Sequence, residues 1–312
     1  MQNCSKCSKM CLFPKFIPNP RYKKNKKNGG NVPRPRDKRL KCIPAACGNC
    51  IECRQAKARE WQVRLNEELR ENPNAYFMTM TFSNEALSAF QSSDANEVAS
   101  KAVELFRKRW YKKYKKPLRH WLITELGHGA KKPGYKSTER IHLHGFIWTT
   151  KNKEEIEKIW QYGWIDTGEY VSEKSIAYCV KYVSKMDPAH EGYKPKIFAS
   201  KGLGKNWIYR YDAKVAKKTG YYKTPSGHKL ALPIYYRNKL FTEEERENQY
   251  LEKLNKNTRY VLGQKIYTRN YKEFKEYIEL VEFERQRSYR IGYTREPWSK
   301  KDYKKMREKL GI

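Results

Sequence analysis

The stretch IHLHGFIW, at residues 141–148, decides the fold of this chain. Its apolar residues alternate with two histidines, and a β-strand places successive side chains on opposite faces of its sheet. His142 and His144 therefore share one face, while Ile141 and Leu143 point to the other. The pattern predicts a strand with one apolar face and two imidazoles on the opposite face.

Further strands and helices alternate along the chain on either side of this strand. Periodicity predicts additional strands over residues 76–82, 121–126 and 163–167, and helices that begin at Asp94 and Asn152. The resulting order is β-α-β-β-α-β. This order favours an α+β fold with a split, ferredoxin-like antiparallel sheet and helices on one face. Helical and loop-rich basic extensions complete the prediction.

The sequence YCVKY, at residues 178–182, lies in a segment with helical periodicity. Residues four apart share one face of a helix, so Tyr178 and Tyr182 are neighbours, with Lys181 beside them. Lys185 continues the same stripe. Apolar residues form the opposite stripe and are expected to dock the helix, which leaves the tyrosines facing away from that contact.

Two imidazoles on one sheet face are suitable ligands for Mn²⁺ and other divalent ions. A hard cation that acts on phosphate also favours a carboxylate ligand. Glu125, at the end of the preceding strand, is the predicted third ligand beside His142 and His144, and Glu139 is the alternative. A tyrosine near such an ion can attack a phosphodiester. Taken alone, the histidine pair is equally typical of two polar residues on an edge strand.

The charge of the chain indicates a polyanionic partner. The 312 residues include 67 Lys and Arg against 34 Asp and Glu, which gives a net charge of +33. Aromatic residues lie among the cations, a pattern typical of single-stranded nucleic-acid binding. Residues 107–117 and 201–205 are expected to contact phosphates, and His120 and His128 are expected to be ordinary surface histidines.

No apolar run is long enough to span a membrane, and the first residues lack the apolar core of a signal peptide. We therefore expect no membrane partner and a cytoplasmic protein.

Cysteines concentrate near the start of the chain, where disulfides would be unusual in a reducing compartment. Their paired spacing indicates a possible structural Zn²⁺ site. Cys4 and Cys7 would bind with either Cys47 and Cys50 or Cys50 and Cys53. The alternative is a set of reduced thiols without metal.

Four motifs occur in the order YFMTMTF, ITELG, IHLHGFIW and YCVKYVSK. Together they resemble the ordered motifs of the HUH endonucleases, and most closely the replication initiators of the Microviridae, in particular the gokushovirus group. The segments CGNCIECRQAKAREWQVRL, SKGLGKNW and LPIYYRNKLF are also similar to segments of those initiators. The resemblance covers roughly residues 40–245.

This resemblance implies a metal-dependent DNA endonuclease and ligase. Such an enzyme nicks the origin of circular phage DNA through a covalent 5′-phosphotyrosine link and so initiates rolling-circle replication. Carried over residue by residue, the resemblance implies Tyr178 and Tyr182 as nucleophiles with Lys181 between them, and His142, His144 and Glu125 as ligands of Mg²⁺ or Mn²⁺.

The implied partners are single-stranded DNA and supercoiled double-stranded origin DNA. A host helicase and polymerase are also implied, because the sequence contains no GxxxxGK[ST] motif. Two alternatives remain: an HUH-type transposase or relaxase with the same chemistry, and a non-catalytic, zinc-containing nucleic-acid-binding protein.

The sequence divides into three predicted regions. Residues 1–53 form a cysteine-rich basic segment, residues 54–190 form the endonuclease core, and residues 191–312 form a basic, partly helical DNA-binding region.

Overall fold

The computed structural model describes residues 11–92, 94–127, 140–168, 170–186 and 193–293. Internal contacts divide the chain into two compact units. One comprises residues up to 56 together with residues from 241 onward, and the other comprises residues 57–240. Two residues discussed above, Glu139 and His128, lie outside the described residues.

Strands and helices alternate through most of the described chain. The strands are β1 (Lys15–Pro18), β2 (Cys42–Ala45), β3 (Ala75–Met80), β4 (Arg119–Leu126), β5 (Ile141–Trp148), β6 (Ile165–Gly168), β7 (Ile197–Ala199), β8 (Tyr221–Lys223), β9 (Lys229–Ala231), β10 (Thr258–Val261) and β11 (Gln264–Tyr267). The α-helices are α1 (Ile51–Glu71), α2 (Asn84–Ala89), α3 (Ala95–Tyr114), α4 (Lys153–Trp160), α5 (Glu173–Ser184), α6 (Tyr211–Thr219), α7 (Ile234–Leu240), α8 (Glu243–Asn255) and α9 (Tyr271–Arg290).

A five-stranded antiparallel sheet forms the centre of the unit at residues 57–240. Its strand order is β6-β3-β5-β4-β7, so the histidine strand β5 is in the middle. This sheet and its flanking helices confirm the predicted α+β fold. Edge strand β7 was not predicted, because its three residues are too few to show a period.

Helices cover both faces of this sheet. The two helices of the predicted β-α-β-β-α-β order, α3 and α4, bury one apolar face. On the opposite face, α1 and α5 pack against apolar residues that include Trp121 and Phe146. The second cover is required because the central strands are apolar on both sides along most of their length. Exposing those side chains would cost about 25 cal/mol per Å² of apolar surface.

Gly145 explains the small residue in the middle of β5. A β-carbon at this position would collide with the backbone carbonyl oxygen of Trp121 on the neighbouring strand. The pairing of β4 with β5 therefore depends on glycine here. This pairing aligns Glu125 with His142.

The SKGLGKNW segment is anchored in the fold by its second glycine. The Gly204 amide donates to the buried carboxylate of Glu68 (2.7 Å), and the Gly204 carbonyl accepts from the Tyr236 hydroxyl (2.7 Å). Glu68 also forms an ion pair with Arg119. A β-carbon on Gly204 would collide with the carbonyl of Arg64. The glycines of this basic segment thus have a structural role.

His120 is buried, with 2% of its surface exposed, so its prediction as a surface histidine was wrong. It lies near the start of β4, and its Nδ1 is 3.0 Å from both the Leu118 carbonyl and the Ser200 hydroxyl oxygen. Burial lowers the pKa of His120 to about 4. No pattern in the sequence indicated this burial, because the edge strand that covers the residue was itself not predicted.

The other unit contains two antiparallel hairpins, β1–β2 and β10–β11, together with α8 and α9. A small apolar cluster holds it together, and Leu12, Phe13 and Val261 are buried there. Across the part of the chain that the structure describes, no helix combines the length and apolarity needed to cross a membrane.

Candidate active site

Three predicted ligands converge on one face of the central sheet. Nε2 of His144 lies 2.9 Å from Oε2 of Glu125, and Nε2 of His142 lies 3.3 Å from the same oxygen. Strand register produces this arrangement, since Glu125 pairs with His142 across β4 and β5 and His144 is two residues further along the same face. The three potential ligand atoms lie within 4.8 Å of one another.

The other nitrogen of each imidazole is fixed by a second contact. Nδ1 of His142 donates to the carbonyl of Arg140 (3.2 Å), and Nδ1 of His144 lies 3.2 Å from the hydroxyl of Thr79. Such contacts orient Nε2 towards a metal, as is usual for histidine ligands. The Thr79 contact follows from the pairing of Thr79 with His144 between β3 and β5.

The donor set fits a divalent cation. Nε2 of His144 is buried and, despite its closeness to the carboxylate of Glu125, has no partner in hydrogen-bond geometry among the described residues. A buried nitrogen without such a partner is rare, because it has lost its hydration. Two imidazoles and one carboxylate form the mixed nitrogen and oxygen set that suits Mn²⁺.

Glu125 is ionised in this environment. Burial alone would raise its pKa, but the close approach of His142, His144 and Lys185 outweighs burial and holds the pKa well below its usual range. The strongest contact is an ion pair in which Nζ of Lys185 lies 2.6 Å from Oε1 of Glu125. The lysine therefore neutralises the carboxylate when only protein atoms surround it.

Helix α5 carries the two tyrosines and has a well-defined start. Ser172 and Ser175 form a reciprocal capping box at its N-terminus. Its apolar stripe, which includes Ile176 and Val180, is buried against the sheet face that also carries the histidines. Burial of that stripe turns the tyrosine stripe towards the candidate ligands.

The tyrosines lie against the histidines. The Tyr182 ring stacks on His144, with centroids 4.7 Å apart and planes 7° apart. Its hydroxyl is 2.9 Å from the hydroxyl of Tyr178. Burial, followed by this hydrogen bond, raises the pKa of Tyr182. Tyr178 is more accessible, with 52% of its surface exposed, and its ring meets Phe77 edge-on.

The structure thus brings Glu125, both histidines and both tyrosines together. Lys181 lies on the tyrosine side of α5 and is exposed. The ammonium that reaches Glu125 is instead that of Lys185, one helical turn further on. The sequence placed Lys185 on the tyrosine stripe, but its contact with Glu125 depends on how α5 docks.

The predicted cysteine ligands are only partly covered by the structure. Cys47, Cys50 and Cys53 come together, and the fourth sulfur beside them is that of Cys11. Cys4 and Cys7 lie outside the described residues. Cys11 shares the spacing of the first cysteine cluster, so the sequence did contain a signal for it.

Comparisons with known proteins find two similarities of the same kind. The model of a replication-associated protein family, named for ORF2, matches residues 75–187. Replication-associated protein VP4 of Bdellovibrio phage phiMH2K is 27% identical to the chain over 222 residues, which cover 64% of the chain and 69% of the phage protein. No solved structure matches the chain significantly. The family match contains the five residues brought together above and also Lys185.

Proposed function

We propose that this chain is a phage replication initiator of the HUH type, a metal-dependent DNA nickase and ligase that acts through phosphotyrosine. The observation that carries the proposal is the stacking of Tyr182 on His144, because it puts a phenol beside a potential metal ligand. The similarity to replication-associated proteins, one of them from a phage, supports the same function. The motif resemblance to Microviridae initiators agrees with it.

The proposed reaction exchanges one phosphodiester for another. The phenol oxygen of a tyrosine forms a bond to the phosphorus and loses its proton, while the bond to the 3′ oxygen breaks and that oxygen gains a proton. The 5′ phosphate remains linked to the tyrosine, so a later 3′ hydroxyl can reverse the exchange and reseal a strand. Tyr178 and Tyr182 would each accept one strand.

The cations of α5 would assist by holding phosphate. Lys181 is exposed on the tyrosine side, and Lys185 lies close enough to contact both Glu125 and the Tyr182 ring, with Nζ 5.4 Å from the ring centroid. Both ammonium groups can neutralise charge on a bound phosphodiester.

Glu125, His142 and His144 would hold Mg²⁺ or Mn²⁺. When bound, the ion supplies Lewis acidity that draws charge from the non-bridging phosphate oxygens. The protein's contribution is the fixed orientation of both imidazoles through Thr79 and the Arg140 carbonyl.

The proposed substrates are single-stranded DNA and the supercoiled double-stranded origin. Host helicase and polymerase would act with the chain in the bacterial cytoplasm. Its net charge of +33 supports attraction to DNA over much of the surface.

A covalent adduct tests the proposal directly. The protein is incubated with Mn²⁺ and labelled single-stranded oligonucleotides tiled across the genome that encodes the chain, then analysed under denaturing conditions. We expect a denaturant-resistant protein–DNA species with the wild type and none with Tyr178→Phe/Tyr182→Phe. Each single phenylalanine variant retains one phenol and is expected to form some adduct.

Two further variants separate catalysis from binding. Tyr211→Phe removes an exposed phenol outside the site and should form the adduct normally. His142→Ala/His144→Ala should form no adduct but keep most of its DNA affinity, because that affinity is shared among many cations. Tight DNA binding without an adduct in the wild type, in either Mg²⁺ or Mn²⁺, would instead identify a non-catalytic DNA-binding protein.

A further inference from the structure

Four cysteine sulfurs converge in the unit formed by residues up to 56 and from 241 onward. The sulfurs of Cys11, Cys47, Cys50 and Cys53 lie within 4.8 Å of one another. Strand pairing explains why residue 11 reaches this place, since β1 and β2 are antiparallel and Lys15 pairs with Ala45. Continuing the chain outward from that pair brings Cys11 beside the turn at Cys47.

The separations match a single tetrahedral ion. Cys47 Sγ lies 3.9 Å from Cys53 Sγ, and Cys50 Sγ lies 4.0 Å from Cys11 Sγ. Zinc–sulfur bonds of about 2.3 Å in a tetrahedron place the sulfurs about 3.8 Å apart. A disulfide would require about 2.05 Å. The sulfurs are therefore spaced for a shared metal ion and are too far apart to be bonded in these pairs.

Backbone amides point at the sulfurs, as expected around a thiolate ligand. The amide of Cys47 donates to Cys11 Sγ (3.2 Å), and the amides of Asn49 and Cys50 donate to Cys47 Sγ (3.4 and 3.2 Å). Such contacts orient metal ligands and stabilise their charge. Gly48 has a φ of +78°, and this left-handed turn lets the intervening backbone fold around the sulfur.

The site is enclosed by apolar residues. Cys47, Cys50 and Cys53 are buried, and Cys50 has no exposed surface. Leu12, Phe13 and Val261 are buried in the same cluster. Three or more thiols packed together without a metal would leave weak donors unsatisfied and open to oxidation. Four thiolates would instead complete the closed coordination shell typical of structural zinc.

We propose that Cys11, Cys47, Cys50 and Cys53 bind one Zn²⁺ that holds this unit together. The ion joins residue 11 to residue 47 and to the start of α1, and so closes the chain around hairpin β1–β2 and the basic residues between its strands. This set differs from the one predicted from spacing, because Cys11 takes the place of Cys4 and Cys7. The proposal is independent of the nickase function.

Metal analysis of the purified full-length chain tests the site. After extensive dialysis without strong chelator, we expect an equimolar amount of zinc in the wild type and in Cys42→Ser, whose cysteine lies on β2 outside the four-sulfur cluster. Cys11→Ser should lose most of its zinc. Cys4→Ser/Cys7→Ser should retain it. Loss of zinc from that double variant but not from Cys11→Ser would overturn the proposed ligand set.

Cobalt substitution provides a readout that needs no variant and no enzymatic activity. Zinc is removed from the wild type under reducing conditions and replaced with Co²⁺. Four thiolates in a tetrahedron give intense visible bands and a thiolate-to-cobalt charge-transfer band. Their absence, or iron in place of zinc in the native protein, would contradict the proposal.

One variant distinguishes this site from the candidate active site. His142→Ala/His144→Ala should keep its zinc and its cobalt–thiolate bands, because it leaves all four cysteines unchanged. Loss of those bands in this variant would mean that the tightly bound ion belongs to the histidine site.

Discussion

At the scale of single residues, the ion pair between Lys185 and Glu125 is the most informative contact of the candidate active site. The ammonium occupies the neighbourhood of the carboxylate that would otherwise bind a cation. The two groups are unequally exposed, at 43% for the Lys185 side chain and 13% for that of Glu125. An ion pair with one partly solvated member contributes only about 0.2–1 kcal/mol. A divalent ion can therefore displace this ammonium at modest cost.

Lys185→Met should consequently increase the affinity for Mn²⁺. The variant keeps an unbranched side chain but removes the charge that competes for Glu125, and about 0.2–1 kcal/mol corresponds to an increase of up to about fivefold. Calorimetric titration of the metal-free protein with Mn²⁺ measures it. Lys181→Met removes a charge from the same side of α5 and serves as the matched control. An unchanged or weaker affinity in Lys185→Met would show that the lysine does not compete with the ion.

At the scale of elements, the pairing of β4 with its neighbours sets both the site and a pH-dependent contribution to stability. One end of β4 presents Glu125 to the histidine strand, while the other end buries His120 beside β7. Burial, assisted by the charge of Arg107, keeps His120 neutral, and its pKa is lowered to about 4. An unfolded histidine has a pKa of about 6.5. The folded state therefore resists protonation over this interval.

Acid should destabilise the protein partly through His120. Between pH 6.5 and about 4 the unfolded chain binds a proton at this residue that the folded chain does not, so the free energy of unfolding falls as pH falls. The shift corresponds to about 3 kcal/mol, all of it present above pH 6.5 and lost by about pH 4. Urea unfolding across this range should show a shallower pH dependence for His120→Gln than for the wild type. Parallel curves for the two proteins would contradict the assignment.

At the scale of the whole molecule, the cations outnumber the acidic groups about twofold, and some of them line a groove. Arg107, Lys108, Lys112 and Lys115 lie together on the exposed side and end of α3, with Tyr111 among them. Cations around an exposed aromatic ring suit a flexible single strand, whose phosphates and bases both need contacts. Affinity built in this way depends strongly on salt, because each phosphate contact releases counterions.

Arg107→Gln/Lys112→Gln should therefore bind unspecific single-stranded DNA less tightly and with a weaker salt dependence. Each lost phosphate contact should reduce the slope of log K against log salt by about 0.7. Fluorescence anisotropy over a range of salt concentrations measures both quantities. Lys214→Gln/Lys218→Gln removes the same charge from α6 and should have a smaller effect. Equal losses in the two variants would indicate that no particular groove binds the strand.

The sequence by itself determined the periodic features of the protein. Alternation in IHLHGFIW identified β5 and put both histidines on one face, and four-residue spacing put Tyr178 and Tyr182 on one side of α5. These features depend only on neighbouring residues, because the geometry of a strand or helix repeats locally.

Only the tertiary structure decided which separate elements meet. Strand register brought Glu125 to His142, helix docking brought Lys185 to Glu125, and hairpin pairing brought Cys11 to Cys47. The burial of His120 likewise required the short strand β7. Each of these contacts joins residues far apart in the chain, and its position is set by the packing of whole apolar faces. No local period in the sequence records that packing.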